Sequence, residues 1–246
     1  MNETQQTKPI ALAKNGAHDL LERAESDLAA GRIDEEGWYR AIASVITPTY
    51  LAADNPRSQS GQGGDEAHWT RARSLIADAI DRDGRFLDVG CASGYLMECM
   101  QRWAGDAGHR VEPFGLDIAP QLAALARRRL PHWADRIHVG NALQWRPAVR
   151  FDFVRTGLEY VPRRRRRDLV VQLLDHVVAE PGRLIIGVYN EERDPSDGEP
   201  GEPPIRQLVE SWGFTIAGSA QRPHYRDERL MYRVLWIDAT PNRSVR

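Results

Sequence analysis

Short apolar runs alternate with helical patterns between residues 85 and 188, and this alternation limits the possible folds more than any other feature of the chain. Such a pattern is typical of βαβ units, in which parallel strands form one sheet and helices cover its faces. The predicted strands are Arg85–Val89, Glu112–Leu116, Ile137–Val139, Phe151–Arg155 and Arg183–Val188. The predicted helices between them are Tyr95–Trp103, Pro120–Leu130 and Arg164–Val178.

The end of the chain has a different pattern. A predicted helix, Pro204–Trp212, is followed by apolar runs at Phe214–Gly218 and Arg229–Ile237, with no helical spacing between them. So short a connection between two strands favours an antiparallel hairpin. We therefore predict an α/β fold with a doubly wound, mostly parallel seven-stranded sheet, an antiparallel C-terminal hairpin and a helical N-terminal segment.

Length and composition allow one large domain with a small addition, because 246 residues are too few for two full domains. We predict a disordered N-terminus over residues 1–16, a helical cap or lid over 17–83 and the sheet domain over 84–246. A net charge of -2 indicates no general attraction to nucleic acid or to an anionic membrane. The polar N-terminus, the absence of a CxxC pair and the lack of a long apolar run predict a cytoplasmic protein with no metal site and no membrane span.

Three helices are predicted within the N-terminal cap. The first runs from Ala17 to a stop at Gly31, and the second covers Glu35–Ile46, with Pro48 as its stop. The third has Trp69, Ala72, Ile76 and Ile80 on one stripe and closes at Asp83-Gly84. The glycine-rich segment from Asp54 to Gly64 predicts a loop.

The most informative stretch is the turn after the first predicted strand, which reads Asp88-Val89-Gly90-Cys91-Ala92-Ser93-Gly94. In a doubly wound sheet, ligands bind beyond the carboxyl ends of the strands, where a helix N-terminus presents free N–H groups. Glycine at positions 90 and 94 allows positive φ and a close approach of a ligand to the backbone. The turn is therefore a candidate nucleotide-binding loop.

Three kinds of nucleotide-binding loop can be compared with this turn. A phosphate-binding P-loop requires a lysine after its last glycine, and a dinucleotide loop requires GxGxxG, whereas this turn has neither. The DxGxxxG loop, which receives the amino-acid part of S-adenosylmethionine, does match. The stretch closely resembles motif I of the class I S-adenosylmethionine-dependent methyltransferases, with Ala92 where many members have glycine. The resemblance extends over residues 85–237.

The resemblance implies S-adenosylmethionine as the cofactor and gives a role to residues at several strand ends. Asp117 would accept both ribose hydroxyls, although it could also cap the following helix. Asn141 stands where the family often has an acid that contacts the adenine amino group, and it offers an uncharged acceptor. The implied cofactor-binding residues are Asp88, Gly90, Cys91, Ala92, Gly94, Asp117, Ile118, Asn141, Ala142, Thr156 and Gly157.

Candidate catalytic residues follow from the chemistry of methyl transfer. Displacement at a sulfonium methyl requires alignment and exclusion of water, and a base is needed only if the acceptor is a hydroxyl. The candidates are Glu159, Tyr160 and His68, with His224 as a weaker one, and Glu159 comes first because of its place at the mouth of the sheet. Aromatic side chains that could form the pocket wall, or simply belong to the core, are Trp38, Tyr39, Tyr50 and Trp69.

Two loops outside the motif are further candidates. Arg57 could pair with the methionine carboxylate of the cofactor, or it could be a solvated loop arginine. The acidic loop from Tyr189 to Pro204 could receive a cationic substrate, or it could be an ordinary surface loop.

The predicted substrate is a small molecule methylated on oxygen or nitrogen, because no nucleic-acid-recognition or protein-recognition module accompanies the core. The alternatives are an RNA methyltransferase, a non-catalytic S-adenosylmethionine-binding protein and a dehydrogenase. The run Arg163–Arg167 does not favour RNA, because five consecutive residues point all the way round a helix. It is predicted to be a solvated charged turn. The sequence does not indicate the oligomeric state.

Overall fold

The computed structural model describes residues 19–192, 203–225, 227 and 229–239, with backbone only at 190–192. Its strands are β1 Gly84–Val89, β2 Val111–Asp117, β3 Ile137–Val139, β4 Phe151–Thr156, β5 Val178–Glu192, β6 Gly218–Pro223 and β7 Leu230–Ala239. Its α-helices are α1 (residues 19–29), α2 Glu35–Ala52, α3 Glu66–Arg73, α4 Tyr95–Asp106, α5 Pro120–Arg129, α6 Arg166–His176 and α7 Ile205–Ser211.

The seven strands form one sheet in the order β3-β2-β1-β4-β5-β7-β6. Strands β1 to β5 pair in parallel, and β7 runs antiparallel to both β5 and β6. Strands β2 and β3 are added on one side of β1, and the order then reverses, with β4 and β5 on the other side. Doubly wound folds bind ligands at such a reversal, which here lies beyond the carboxyl ends of β1 and β4. The predicted fold class is confirmed.

Both faces of the sheet are buried, as the apolar strands require. Consecutive strand residues point to opposite faces, so Leu87 packs in a cluster with α6 and Phe86 packs in a cluster with α3 and α4. On the second face, Trp69 is 2% exposed, and its indole N–H donates to the Cys99 sulfur at 3.2 Å. The apolar stripe predicted for the third helix is buried.

Several predicted boundaries are wrong for local reasons. The second helix does not stop at Pro48 but continues to Ala52, because a proline removes one backbone N–H donor without preventing the next turn. The Thr49 hydroxyl donates to the Val45 carbonyl at 2.7 Å and supports that turn. The third helix is α-helical only to Arg73 and then tightens into a 3-10 helix, Ser74–Ala79.

The strand predicted at Phe214–Gly218 is displaced. The strand that pairs with β7 is Gly218–Pro223, and its side chains alternate between partly buried and exposed. It is an edge strand of mostly polar residues, so it lacks the apolar run that the prediction relied on. Phe214 and Ile216 instead pack against the sheet cluster before the strand begins.

The arginine run begins with a charged turn in which Arg163 and Arg164 are exposed, as predicted, and it also makes ion pairs with the N-terminal helices. Arg163 pairs with Glu22 of α1, and its backbone N–H donates to Glu25 at 3.1 Å. Arg165 donates to both carboxylate oxygens of Glu35, at the start of α2, at 2.8 Å. These ion pairs attach the two N-terminal helices to the sheet domain. Among the described residues, no helix combines the length and the apolar character needed to cross a bilayer.

Candidate cofactor and active site

The turn between β1 and α4 has an unusual backbone. Gly90 and Gly94 each have φ of 75°, and Ala92 has φ of 46° although it is not a glycine. A side chain at such a φ costs about 1 kcal/mol, and this cost explains why glycine is common at the position that Ala92 occupies. The three positive φ values fold the turn tightly against the end of β2.

Most of the amide groups in this turn are already bonded within the protein. The N–H groups of Gly90 and Cys91 donate to the Leu116 carbonyl at 2.7 and 3.1 Å, and that of Gly94 donates to the Cys91 carbonyl at 2.7 Å. The Ala92 N–H donates to the Asp117 carboxylate at 2.8 Å. A dinucleotide loop needs such amides for a pyrophosphate, so the turn is not arranged for phosphate.

Asp117 stands at the end of β2, directly beside the turn, and is only 5% exposed. One carboxylate oxygen accepts the Ala92 N–H and the other accepts the Ala119 N–H, both at 2.8 Å. Burial raises the pKa of Asp117 to about 6, against the lowering effect of these two bonds. Each oxygen keeps a second lone pair, so the carboxylate could accept two hydroxyl groups of a ligand as well.

Apolar side chains next to Asp117 are exposed at the strand ends. Ile118 is 45% exposed and Val139, at the end of β3, is 41% exposed. Beyond them, the Asn141 side-chain oxygen accepts the Leu143 N–H at 3.0 Å, and Ala142 is buried. Exposed aliphatic groups beside a polar side chain fit a flat heterocycle with a polar edge.

A buried ion pair lies under the turn, and sequence reasoning missed its cation. Asp88 is 2% exposed, and its carboxylate lies 3.1 Å from the Arg155 guanidinium, which is 3% exposed. Burial raises the pKa of Asp88, whereas Arg155 lowers it. Arg155 also donates to the hydroxyls of Tyr160, at 2.8 Å, and Tyr189, at 3.3 Å. An arginine within the apolar strand β4 was the one available signal.

The predicted catalytic residues Tyr160 and Glu159 follow β4 in a short 3-10 helix, Leu158–Tyr160. The Tyr160 ring covers Gly90 so closely that a Cβ on that glycine would lie 2.8 Å from ring carbons. Burial raises the pKa of Tyr160 well above its usual range. Glu159 is exposed and its carboxylate folds over Gly157, while the buried Thr156 donates its hydroxyl to the Gly157 carbonyl at 3.2 Å.

The N-terminal region meets this edge of the sheet through the predicted loop, which contains a 3-10 turn at Ser58–Ser60. The Ser93 hydroxyl lies 2.7 Å from the Ser60 hydroxyl and donates to the Pro56 carbonyl at 2.8 Å. Tyr50, at the end of α2, has its pKa raised to about 12 by burial, with Arg73 opposing this and the nearby carboxylates of Glu159 and Asp117 adding to it. The end of α2 is therefore within electrostatic reach of Asp117.

Two predicted residues have contacts elsewhere. Arg57 donates to the Gly64 carbonyl at 2.8 Å and lies 3.4 Å from Glu66, so its contacts are within its own segment of the chain. The His68 ring lies 3.1 Å from Asp65 and packs on Tyr225. The structure does not test the roles of Arg57 and His68, and these remain predictions. Residues 1–18 and 193–202, which include most of the acidic loop, lie outside the described residues.

A second arginine that sequence reasoning missed lies at the same edge. The Arg73 guanidinium stacks on the Tyr189 ring, 3.3 Å from its centroid, and lies 5.4 Å from that of Trp69. Its Nε and Nη1 atoms are buried without a hydrogen-bond partner. Its charge opposes the rise that burial causes in the pKa values of Tyr50, Asp88 and Tyr160.

Solved structures with a similar fold are known. An N1-methyltransferase from Burkholderia thailandensis, crystallised with 1,6-didemethyltoxoflavin and S-adenosylhomocysteine, is 20% identical, with a TM-score of 0.59 over 85% of this chain and 92% of that one. The N-methyltransferase NodS from Bradyrhizobium japonicum WM9, in complex with S-adenosylhomocysteine, is 15% identical, with a TM-score of 0.50 over 80% and 98%. The [4+2]-cyclase SpnF is 14% identical, with a TM-score of 0.54 over 81% and 93%.

No protein-family model and no curated protein sequence matches the chain. The strand order, which reverses between β1 and β4, is that of a doubly wound α/β protein, and folds of this kind bind ligands beyond the carboxyl ends of the strands at such a reversal. Its fold is the Rossmann-like fold of the class I S-adenosylmethionine-dependent methyltransferases.

Proposed function

We propose that the chain is a methyltransferase that uses S-adenosylmethionine to methylate an oxygen or nitrogen atom of a small molecule. The observation that carries the proposal is the meeting of Asp117 with the Gly90–Gly94 turn at one edge of the sheet. The carboxylate keeps lone pairs that can accept ribose hydroxyls, whereas most N–H groups of the turn already donate to acceptors within the protein. This combination suits a nucleoside without phosphate better than a nicotinamide dinucleotide.

The residues at this edge fit the parts of the cofactor. Asp117 would hold the ribose hydroxyls, and Ile118 with Asn141 and Ala142 would border the adenine. Gly90 with Thr156 and Gly157 would border the methionine part. S-adenosylmethionine supplies an electrophilic methyl group on a sulfonium, so the protein has to align the acceptor and exclude water.

The N-terminal helices support water exclusion. Tyr50 of α2 is within electrostatic reach of Arg73, Glu159 and Asp117, and the loop that follows α2 is bonded to Ser93 in the turn. Residues 17–83 would therefore act as a cap over the bound cofactor. Arg163 and Arg165 are paired with carboxylates of α1 and α2, so these two side chains are less available to bind RNA phosphates. The arginine run therefore offers little support for RNA as the substrate.

The residues beside β4 favour different roles in the reaction. Glu159 is exposed at the mouth of the site, so its carboxylate can take a proton from a hydroxyl acceptor. Tyr160 has a raised pKa and already accepts a hydrogen bond from Arg155. It is therefore unsuited to act as a base and better suited to form part of the pocket surface. An amine acceptor in its neutral form needs no base.

A second candidate function is a reaction that keeps the cofactor site without methyl transfer. We keep this candidate because the [4+2]-cyclase SpnF has a similar fold and is named for a reaction other than methyl transfer. The chain would then bind S-adenosylmethionine and leave its methyl group in place.

The proposal is tested by binding and by turnover. We expect calorimetry to show binding of S-adenosylhomocysteine and none of NAD. A panel of small hydroxyl and amine compounds with methyl-labelled S-adenosylmethionine should yield labelled product and S-adenosylhomocysteine with at least one member. Binding of NAD alone would support a dehydrogenase, and binding of S-adenosylhomocysteine without turnover on any compound would support the second candidate.

A further inference from the structure

Arg73 is a partly exposed arginine, and no carboxylate among the described residues pairs with it. In the part of the chain that the structure describes, its guanidinium makes no hydrogen bond and no ion pair, and its Nε and Nη1 atoms are shielded from water. The stacking on Tyr189 compensates for part of the lost hydration. Buried charged donors without an acceptor are unfavourable, and an acceptor supplied by a ligand removes that cost.

Arg155 is a second arginine at this edge; it is fully buried, and its charge is already balanced within the protein. Arg155 is paired with Asp88, and two of its nitrogens donate to phenol oxygens of Tyr160 and Tyr189. Tyr189 therefore lies between the two guanidinium groups, stacked on Arg73 and bonded to Arg155. The two arginines and Asp88 leave a net charge of about +1, centred on Arg73.

The position of Arg73 points towards the acceptor. It ends α3 and contacts Tyr189 in the last part of β5, on the side of β4 opposite β1 and β2. Asp117 and Ile118, which suit the nucleoside, lie at the end of β2 on the other side. A bound sulfonium would add a positive charge at this edge, where Asp117 and Glu159 also contribute carboxylates, so the local excess that an anionic acceptor would balance is the one at Arg73.

We propose that the acceptor carries a carboxylate or phosphate group, and that Arg73, held over the Tyr189 ring, binds this group. The inference rests on the proposed function and names the class of its substrate. Arg73 as a whole is partly exposed and its Nε and Nη1 atoms are the shielded ones, so a ligand would approach the guanidinium from its remaining side. A planar guanidinium presents paired donors to such an anion, and the phenol groups of Tyr50 and Tyr160 lie close enough to affect, or be affected by, its charge.

The test uses probes with and without charge on the protein saturated with S-adenosylhomocysteine. Benzoate and phenyl phosphate are compared with benzamide and phenol by calorimetry, and the same titrations are run without S-adenosylhomocysteine. We expect at least one anion to bind, and its Kd to rise at least tenfold in Arg73→Met. Benzoate and phenyl phosphate distinguish a carboxylate from a phosphate. Arg73→Lys should recover part of the affinity, because it keeps the charge and loses the paired donors.

Arg71→Met is the matched control. Arg71 lies on the same helix, but it is exposed and donates to the Pro223 carbonyl at 3.0 Å, so its loss should leave anion binding unchanged. Equal binding of the neutral probes, absence of binding by both anions, or an unchanged Kd in Arg73→Met would overturn the proposal.

The same variants distinguish an acceptor anion from the carboxylate of the cofactor. S-adenosylhomocysteine carries that carboxylate and 5′-methylthioadenosine does not. If Arg73→Met weakens binding of the first by tenfold and leaves the second unchanged, Arg73 holds the cofactor and the inference is wrong. If wild-type protein binds neither nucleoside, the proposed function fails, and the anion titrations without nucleoside still report on Arg73.

Discussion

The Ala92 amide donates to the Asp117 carboxylate at 2.8 Å, and this bond joins the turn after β1 to the end of β2. Asp117 therefore stabilises the turn even in the absence of a ligand. The opposite carboxylate oxygen accepts the Ala119 N–H, so the charge is held by two backbone donors in a place that water hardly reaches.

Asp117→Ala should weaken binding of S-adenosylhomocysteine by more than tenfold, because two ribose hydroxyls lose their acceptor. Calorimetry at neutral pH measures the change. The matched control is Asp152→Ala: Asp152 accepts the Arg85 N–H at 2.8 Å, between the first residues of β1 and β4, far from the proposed site. An Asp117→Ala variant with wild-type affinity, or a control that loses affinity equally, would refute the ribose role.

The affinity for S-adenosylhomocysteine should fall as the pH drops below about 6. The pKa of Asp117 is raised to about 6 by burial, and only the ionised carboxylate accepts two hydroxyl groups. At pH 5 about one molecule in ten is ionised, so the apparent Kd should rise roughly tenfold relative to pH 7.5. The dependence should vanish in Asp117→Ala. A wild-type Kd that stays constant between pH 5 and 7.5 contradicts this assignment.

The same pKa predicts how stability depends on pH without ligand. The pKa of Asp117 is higher in the folded protein, about 6, than its ordinary value of 3.8, so the folded state holds this proton more tightly. Its contribution is most favourable below pH 3.8 and is lost as the pH rises through 6, by up to about 3 kcal/mol. Unfolding in urea at several pH values should show this as a falling difference between wild type and Asp117→Ala. A difference that rises with pH would reverse the sign and reject the explanation.

Arg155→Met should lower the free energy of unfolding by about 3–5 kcal/mol, because it leaves the buried Asp88 carboxylate without its partner. Adding Asp88→Asn should recover part of the loss by removing the uncompensated charge. The exposed pair of Arg110 with Asp83 is the comparison, and Arg110→Met should have a much smaller effect on stability than Arg155→Met. Similar losses of unfolding free energy in Arg155→Met and Arg110→Met would show that burial of the ion pair does not determine the cost.

Arg165→Ala should speed dissociation of S-adenosylhomocysteine by about two- to fivefold, because Arg165 attaches α2 to the sheet domain through Glu35. Stopped-flow displacement measures the rate. The exchanged pair Arg165→Glu with Glu35→Arg should restore part of the slow release, and Arg206→Ala, which breaks an exposed pair within α7, should change nothing. Unchanged dissociation in Arg165→Ala would mean that the N-terminal helices do not cap the site.

Sequence alone was sufficient for those parts of the fold that have a strong periodic pattern. The parallel strands and the turn from Asp88 to Gly94 follow from apolar runs and from glycine positions. The edge strand Gly218–Pro223 was misplaced because its pairing depends on a neighbouring strand and not on its own apolar content.

The two arginines of the site could not be predicted in the same way. Arg73 resembles any residue on the polar side of a helix, and only the fold brings it to Tyr189, more than a hundred positions later. Arg155 was visible as a charge in an apolar strand, but its partner Asp88 comes from a different strand. Contacts between distant segments depend on tertiary packing and leave no local pattern.

A crystal structure with S-adenosylhomocysteine tests the central claim most directly. We predict that the two ribose hydroxyls lie within hydrogen-bond distance of the Asp117 carboxylate and that the amino-acid part lies along the Gly90–Gly94 turn. A nucleoside bound at another edge of the sheet, or a ribose held by residues other than Asp117, would contradict the account.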